Sequence, residues 1–199
     1  MMTMIQRVLS RRSFTLIELL TVIAIIAILA GLLFPAIQSS LKKADATQAK
    51  TDIKNIETAI RAYYTEYGKL PVRDAHQGIA DRYYGDGSDP DGFQYEMMDT
   101  LRAVSTAGHA NSGDVLNPRK IVFFEPPSRK AAMGNVGTTQ GSLLDPWGRV
   151  YRIKLDNDYN NSVEYYNNTN AVAVIVCYGP GGGQCDINTS SCDDITNLK

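Results

Sequence analysis

Residues 11–35 read RRSFTLIELLTVIAIIAILAGLLFP. Arg11 and Arg12 close a short basic leader that also holds Arg7, and an apolar run begins abruptly at Phe14. From Leu16 to Phe34, only Glu18 and Thr21 interrupt it, and Pro35 stands at its foot. As a helix this stretch is about 28 Å long, close to the ~30 Å hydrocarbon core of a bilayer. A carboxylate in such a helix costs about 3 kcal/mol on insertion scales, so Glu18 requires a partner. The three arginines flank the near side, and Lys42 and Lys43 flank the far side. The positive-inside rule keeps the near side cytoplasmic and exports the bulk of the chain.

An ordinary secretory signal peptide is the simplest alternative. The segment has a basic start, an apolar middle and a small-x-small triplet, Ala44-Asp45-Ala46. Its apolar run is longer than a usual signal core, and the triplet lies beyond two lysines inside a helical pattern. A plain signal anchor fits the length but leaves Glu18 unexplained.

Ser13-Phe14-Thr15-Leu16-Ile17-Glu18-Leu19 resembles the cleavage and methylation motif of type IV pilins and type II secretion pseudopilins. The resemblance implies that a membrane prepilin peptidase cuts between Ser13 and Phe14 and N-methylates Phe14. The family usually has glycine before the cut, where this chain has Ser13. Leu16, Glu18 and Pro35 fall where the family has them, and Glu18 and Pro35 are the residues it implies for assembly. The physics agrees. The Glu18 carboxylate of one subunit can neutralise the freed Phe14 amine of its neighbour, removing two costly charges from lipid together. Pro35 cannot donate to the carbonyl of Gly31, so the helix is expected to kink or loosen near residues 31–35.

Residues 36–67 continue as an amphipathic helix. Ile53, Ile56, Ile60, Tyr63 and Tyr67 recur at steps of three and four on one stripe, with Asp45, Lys50, Asp52, Lys54, Glu57 and Arg61 largely off it. Gly68 is a natural stop. The helix should therefore run about 50 residues. Residues 72–118 are loop-rich, with a short helical candidate at Gln94–Val104 and two loop histidines, His76 and His109, expected to be solvated. Asp86, Asp89 and Asp91 read as turn chemistry. Beyond residue 118, Ile121–Phe124, Arg149–Leu155 and Ala171–Tyr178 read as strands, and Asp156-x-Asp158-x-Asn160 as an Asx-rich turn rather than a calcium loop. Three or four antiparallel strands packed on the helix follow.

The expected architecture is α+β and pilin-like. A leader occupies residues 1–13 and a transmembrane and assembly helix 14–35. The amphipathic continuation follows at 36–68, a variable loop-rich region at 69–142, and a β-sheet domain with a C-terminal loop at 143–199.

The turn Asp145-Pro146-Trp147-Gly148, with Tyr151 close behind, resembles a motif of the major pseudopilin of type II secretion. The tail is similar to the pseudopilin ending that encloses one calcium ion. That similarity implies a ligand set of the Tyr178 carbonyl, Asp193 and Asp194. The tail departs from it at Gly181, where an aspartate is expected, and so loses one carboxylate from a cation that wants six to eight oxygens. All three cysteines (Cys177, Cys185, Cys192) lie near the C-terminus, which suggests one disulfide and one spare thiol in an exported chain. Cys185 and Cys192 could close a small ring in this longer loop and act as its staple.

The formal net charge of −1 over 199 residues offers no basic field for nucleic acid. No Gly-x-Ser-x-Gly, HExxH, CxxC or phosphate loop supports an enzyme. The reading is a structural subunit of a helical homo-oligomeric filament, stored in the bacterial inner membrane with its C-terminal domain in the periplasm. It meets the prepilin peptidase, other pseudopilins and the inner-membrane assembly platform. The nearest alternative is a type IV pilin for adhesion, motility or DNA uptake.

Overall fold

The computed structural model describes residues 14–85, 94–127, 141–163, 171–181 and 195–197. Helix α1 spans Leu16–Tyr67, 52 residues, in line with the expected length. The chain divides into two compact units, residues 1–43 and 44–199. In the first unit, residues 14–43 are exposed around the whole circumference of the helix. The helix stays helical through Gly31 and Pro35, so the missing proline donor does not interrupt it. A Cβ added at Gly31 would meet nothing within 4 Å.

In the second unit one side of α1 enters the core. Ala49, Ile53, Ile56, Ala59, Ile60 and Tyr63 are buried, which is the stripe read from the sequence. Asp52 and Glu57 are buried with them, which corrects their placement off that stripe. A buried carboxylate survives only when its lone pairs are satisfied. Asp52 takes the Tyr151 hydroxyl on Oδ2 at 2.9 Å and the Gln48 amide on Oδ1 at 2.9 Å. Glu57 is held between Lys54 and Arg61, each at 3.0 Å. Burial pushes Glu57 up, but those hydrogen bonds and charges together bring its pKa below the usual value. Helix α1 stops at Gly68, which adopts φ +66° and returns its N–H to the Tyr64 carbonyl at 2.8 Å.

Four strands form one antiparallel sheet in sequence order: β1 (Arg82–Tyr84), β2 (Arg152–Leu155), β3 (Ala173–Cys177) and β4 (Ile195–Thr196). Ile153 pairs with Tyr84 on one side and Ile175 on the other, and Cys177 pairs with Ile195. Alternation sorts the faces. Tyr84, Ile153, Leu155, Ala173, Ile175 and Cys177 join the α1 stripe in one core. Val174 and Val176 form a second cluster with Val163. The edge strands are short, three residues in β1 and two in β4.

Three local expectations change. Strand β1 lies inside the stretch read as loops, because three residues carry too little alternation to register as a strand. Ile121–Phe124 is not a strand. The Asn117 side chain takes the Ile121 N–H at 3.1 Å and donates to the Ile121 carbonyl at 2.8 Å, occupying groups that a ladder would need. Phe123 and Phe124 instead donate to the Leu101 carbonyl. Helix α2 is Gln94–Leu101, shorter than the expected Gln94–Val104. It ends in a Schellman arrangement: Val104 N–H reaches the Asp99 carbonyl, Ala103 N–H reaches that of Thr100, and Ala103 sits at φ +57°. Alanine in place of glycine there removes the usual stop signal from the sequence.

Tyr151→Phe leaves the buried Asp52 carboxylate short of one donor. It is expected to cost about 1–3 kcal/mol in denaturant unfolding of the detergent-solubilised protein, whereas Tyr64→Phe, on a part-exposed ring, should stay within ~0.5 kcal/mol.

Candidate functional site

The head of α1 is the chemically distinctive place in the first unit. Thr15 precedes the first helical residue and Glu18 lies three residues on, so the sequence offers the T-x-x-E pattern of a capping box. The structure forms it. Glu18 Oε2 accepts the Thr15 backbone N–H at 2.8 Å and the Thr15 hydroxyl at 2.7 Å, and the Glu18 N–H reaches Thr15 Oγ1 at 3.3 Å. Helix N-termini leave orphan amides, and those have no water to turn to in hydrocarbon. Thr21, the other polar residue of the run, donates its hydroxyl to the Glu18 carbonyl at 3.0 Å.

Glu18 thus has an intrachain role that the sequence reading missed, although the four-residue pattern was there to find it. Both bonds fall on Oε2, and among the described residues Oε1 remains an open acceptor. Phe14 is 77% exposed immediately before the box. Ser13, the other side of the expected cut, lies outside the described residues. Among the described residues α1 is the one helix long and apolar enough to cross a membrane.

In the second unit, Asp145 builds the turn that the sequence singled out. Its Oδ1 accepts the Trp147 and Arg149 amides at 2.9 and 2.8 Å, and Gly148 takes φ +85°. Its Oδ2 accepts the Cys177 thiol at 3.3 Å, tying the turn to β3. Burial, opposed by the Gly179 N–H and reinforced by Asp145, pushes the Cys177 thiol up to about 12, so it is held as an unreactive thiol. Tyr178 follows at the end of β3. Asp193, Asp194, Cys185 and Cys192 lie outside the described residues, as do Asp86, Asp89 and Asp91.

The histidines are not simply solvated. His109 Nδ1 lies 2.7 Å from Oδ2 of buried Asp99, which also accepts the Thr106 hydroxyl at 2.7 Å. His76 Nδ1 lies 3.3 Å from the Tyr84 hydroxyl. The Asx-rich turn after β2 forms as expected, with Asn160 and Asn161 amides bonded to Asp156 at 3.0 and 2.9 Å. The fold adds Asp81 from a distant segment, so that carboxylate oxygens of Asp81, Asp156 and Asp158 lie within 4.8 Å of one another. Burial, Asp158 and Asp81 raise the Asp156 pKa against the pull of the two amides.

Residues 9–34 match the family described as the prokaryotic N-terminal methylation motif. The chain is 33% identical over 103 residues to the type IV major pilin protein PilE1 of Neisseria gonorrhoeae, covering 52% of this chain and 60% of that one. It is 36% identical over 61 residues to the type II secretion system core protein G of Pectobacterium carotovorum, covering 31% and 39%. The chain thus carries the N-terminal methylation motif and, over its N-terminal part, is similar both to type IV pilins and to type II secretion pseudopilins. Its relatives are structural pilin and pseudopilin proteins, which are not enzymes, and its α+β fold is pilin-like. This pilin-like chain spans 60% or less of the curated relatives named here. No solved structure matches it.

Removing the Thr15 hydroxyl dismantles half of the box at a cost of ~1 kcal/mol, the usual price of a lost N-cap. Thr15→Val is expected to speed amide exchange at residues 15–18 in detergent micelles about fivefold, and Thr15→Ser to leave it unchanged.

Proposed function

We propose that this pilin-like chain is a structural subunit of a pseudopilus filament in type II protein secretion, assembled from the bacterial inner membrane after prepilin peptidase cleaves between Ser13 and Phe14. The observation that carries the reading is an apolar helix, exposed on every side in the single subunit, headed by a carboxylate with one oxygen uncommitted. Water cannot solvate that surface, so lipid or other copies of the chain must cover it.

Hydrolysis of the 13–14 peptide bond frees the Phe14 amine, which is then methylated. Glu18 Oε1 receives that amine from the neighbouring subunit while Oε2 keeps the box closed. Each added subunit is thereby held in register, and two charges leave the lipid as one neutral pair. The domain after residue 36 occupies the periplasm, and other pseudopilins and the inner-membrane assembly platform are the further partners.

Three observations bear on the choice of filament. The Asp145–Gly148 turn with Tyr151, and the likeness to core protein G, favour the pseudopilus. The longer match to a type IV major pilin supports a second reading, a pilus subunit for adhesion, motility or DNA uptake. Deleting the chromosomal gene separates them. Loss of a secreted enzyme from the medium with surface pili intact supports the first, and loss of pili with secretion intact supports the second.

A calcium ion at the sheet end is part of the proposal. Cys177, which pairs with Ile195, is followed in sequence by Tyr178, and Ile195 is preceded in sequence by Asp193 and Asp194. The Tyr178 carbonyl and the two carboxylates would hold the ion, whose role is to fasten the tail. A Cys185–Cys192 disulfide would fasten the same loop.

Mature protein is expected to begin, by intact mass, at N-methylated Phe14. Glu18→Ala should reduce filament yield at least about tenfold while leaving the protein in the membrane. Calcium added to chelator-treated protein should raise the thermal midpoint by about 4 °C or more, a shift that Asp193→Ala abolishes.

A further inference from the structure

The turn after β2 contains the sequence Asp158-Tyr159-Asn160-Asn161-Ser162. Asn160-x-Ser162, with no proline between, is the acceptor pattern for sugar attachment to an asparagine amide. The acidic residue two positions earlier gives the extended form of that pattern. A pattern this short is common by chance, so its placement must carry the case.

Three features of the placement do so. Asp158, Asn160 and Asn161 are exposed on the turn that follows β2. The carboxamide is held in an Asx turn, with the Ser162 N–H donating to Asn160 Oδ1 at 2.7 Å. That bond folds the chain back at the acceptor, so Asn160 and Ser162 are presented side by side. The Asn160 Nδ2 donates to Asp158 Oδ2 at 2.8 Å, which joins the acidic residue to the same presented group. Left-handed backbone at Tyr159 (φ +60°) and Asn161 (φ +62°) makes the reversal tight without withdrawing the amide from the surface.

We propose that Asn160 is a site of N-linked glycosylation, taking an oligosaccharide from a lipid-linked pyrophosphoryl donor on the outer side of the membrane. In the transfer, Asn160 Nδ2 forms a bond to the anomeric carbon as the bond from that carbon to the pyrophosphate oxygen breaks. The leaving group departs with the electron pair, and one amide proton passes to a base of the transferase. No oxidant or reductant is needed. The proposal rests on the export of the C-terminal domain argued above.

The test uses full-length protein purified from membranes of its own organism, with tandem mass spectrometry of the proteolytic peptide that carries Asn160. A saccharide mass increment on Asn160 is expected. Asn160→Gln and Ser162→Ala should each abolish it, and Ser162→Thr should keep it. An unmodified Asn160 overturns the proposal, and so does a sugar found on Ser162 with Asn160 clean. Protease shaving of spheroplasts, run in parallel, tells the two failures apart. A domain cut from outside but unmodified leaves the export reading standing, whereas a protected domain removes both.

Discussion

One helix has to satisfy two solvents, and that constraint organises the molecule. From Leu16 to Phe34 every residue of α1 is exposed, and all its side chains but those of Glu18 and Thr21 suit hydrocarbon. From Ala49 onward one face is covered by a sheet and the other meets water. An α-helix can do both because its backbone groups are paired internally wherever it runs, which frees the side chains to set the medium. The exposed termini of such an element are its weak points. At the N-terminus Thr15 and Glu18 supply the missing partners, and at the C-terminus Gly68 supplies the left-handed residue.

The same logic explains how a charge can be kept in the apolar segment at all. Glu18 satisfies helix amides through one oxygen, so it carries a structural role even in an isolated subunit. Its second oxygen is what makes the arrangement incomplete. The two roles do not compete, because they use different atoms. In the folded domain Asp52 follows a related rule: an internal carboxylate is tolerated where both oxygens are met, here by Tyr151 and Gln48.

The periodic parts of this architecture were legible in the sequence. The span from Leu16 to Phe34, the Ile53-Ile56-Ile60-Tyr63 stripe, the stop at Gly68, the turn at Asp145–Gly148 and strands β2 and β3 all follow from local pattern. What escaped depends on distant partners or on atypical residues. Asp52 looks solvent-facing by period, and its burial depends in part on a tyrosine 99 residues away. Strand β1 is defined by its pairing with β2 and not by its own three residues. Ile121–Phe124 has the composition of a strand, but the Asn117 side chain claims its backbone. The end of α2 is set by a left-handed alanine, which carries no conspicuous signal. At the site, Glu18 was found through its cost while its bond to Thr15 was overlooked, and Asp81 could join Asp156 and Asp158 only through the fold.

The brevity of β1 and β4 has a consequence for how copies of this molecule can stick together. A sheet rim recruits another sheet through consecutive main-chain bonds, and rims of two or three residues offer too few to hold a stranger. Among the described residues, growth by strand addition is thereby discouraged at both edges of the sheet.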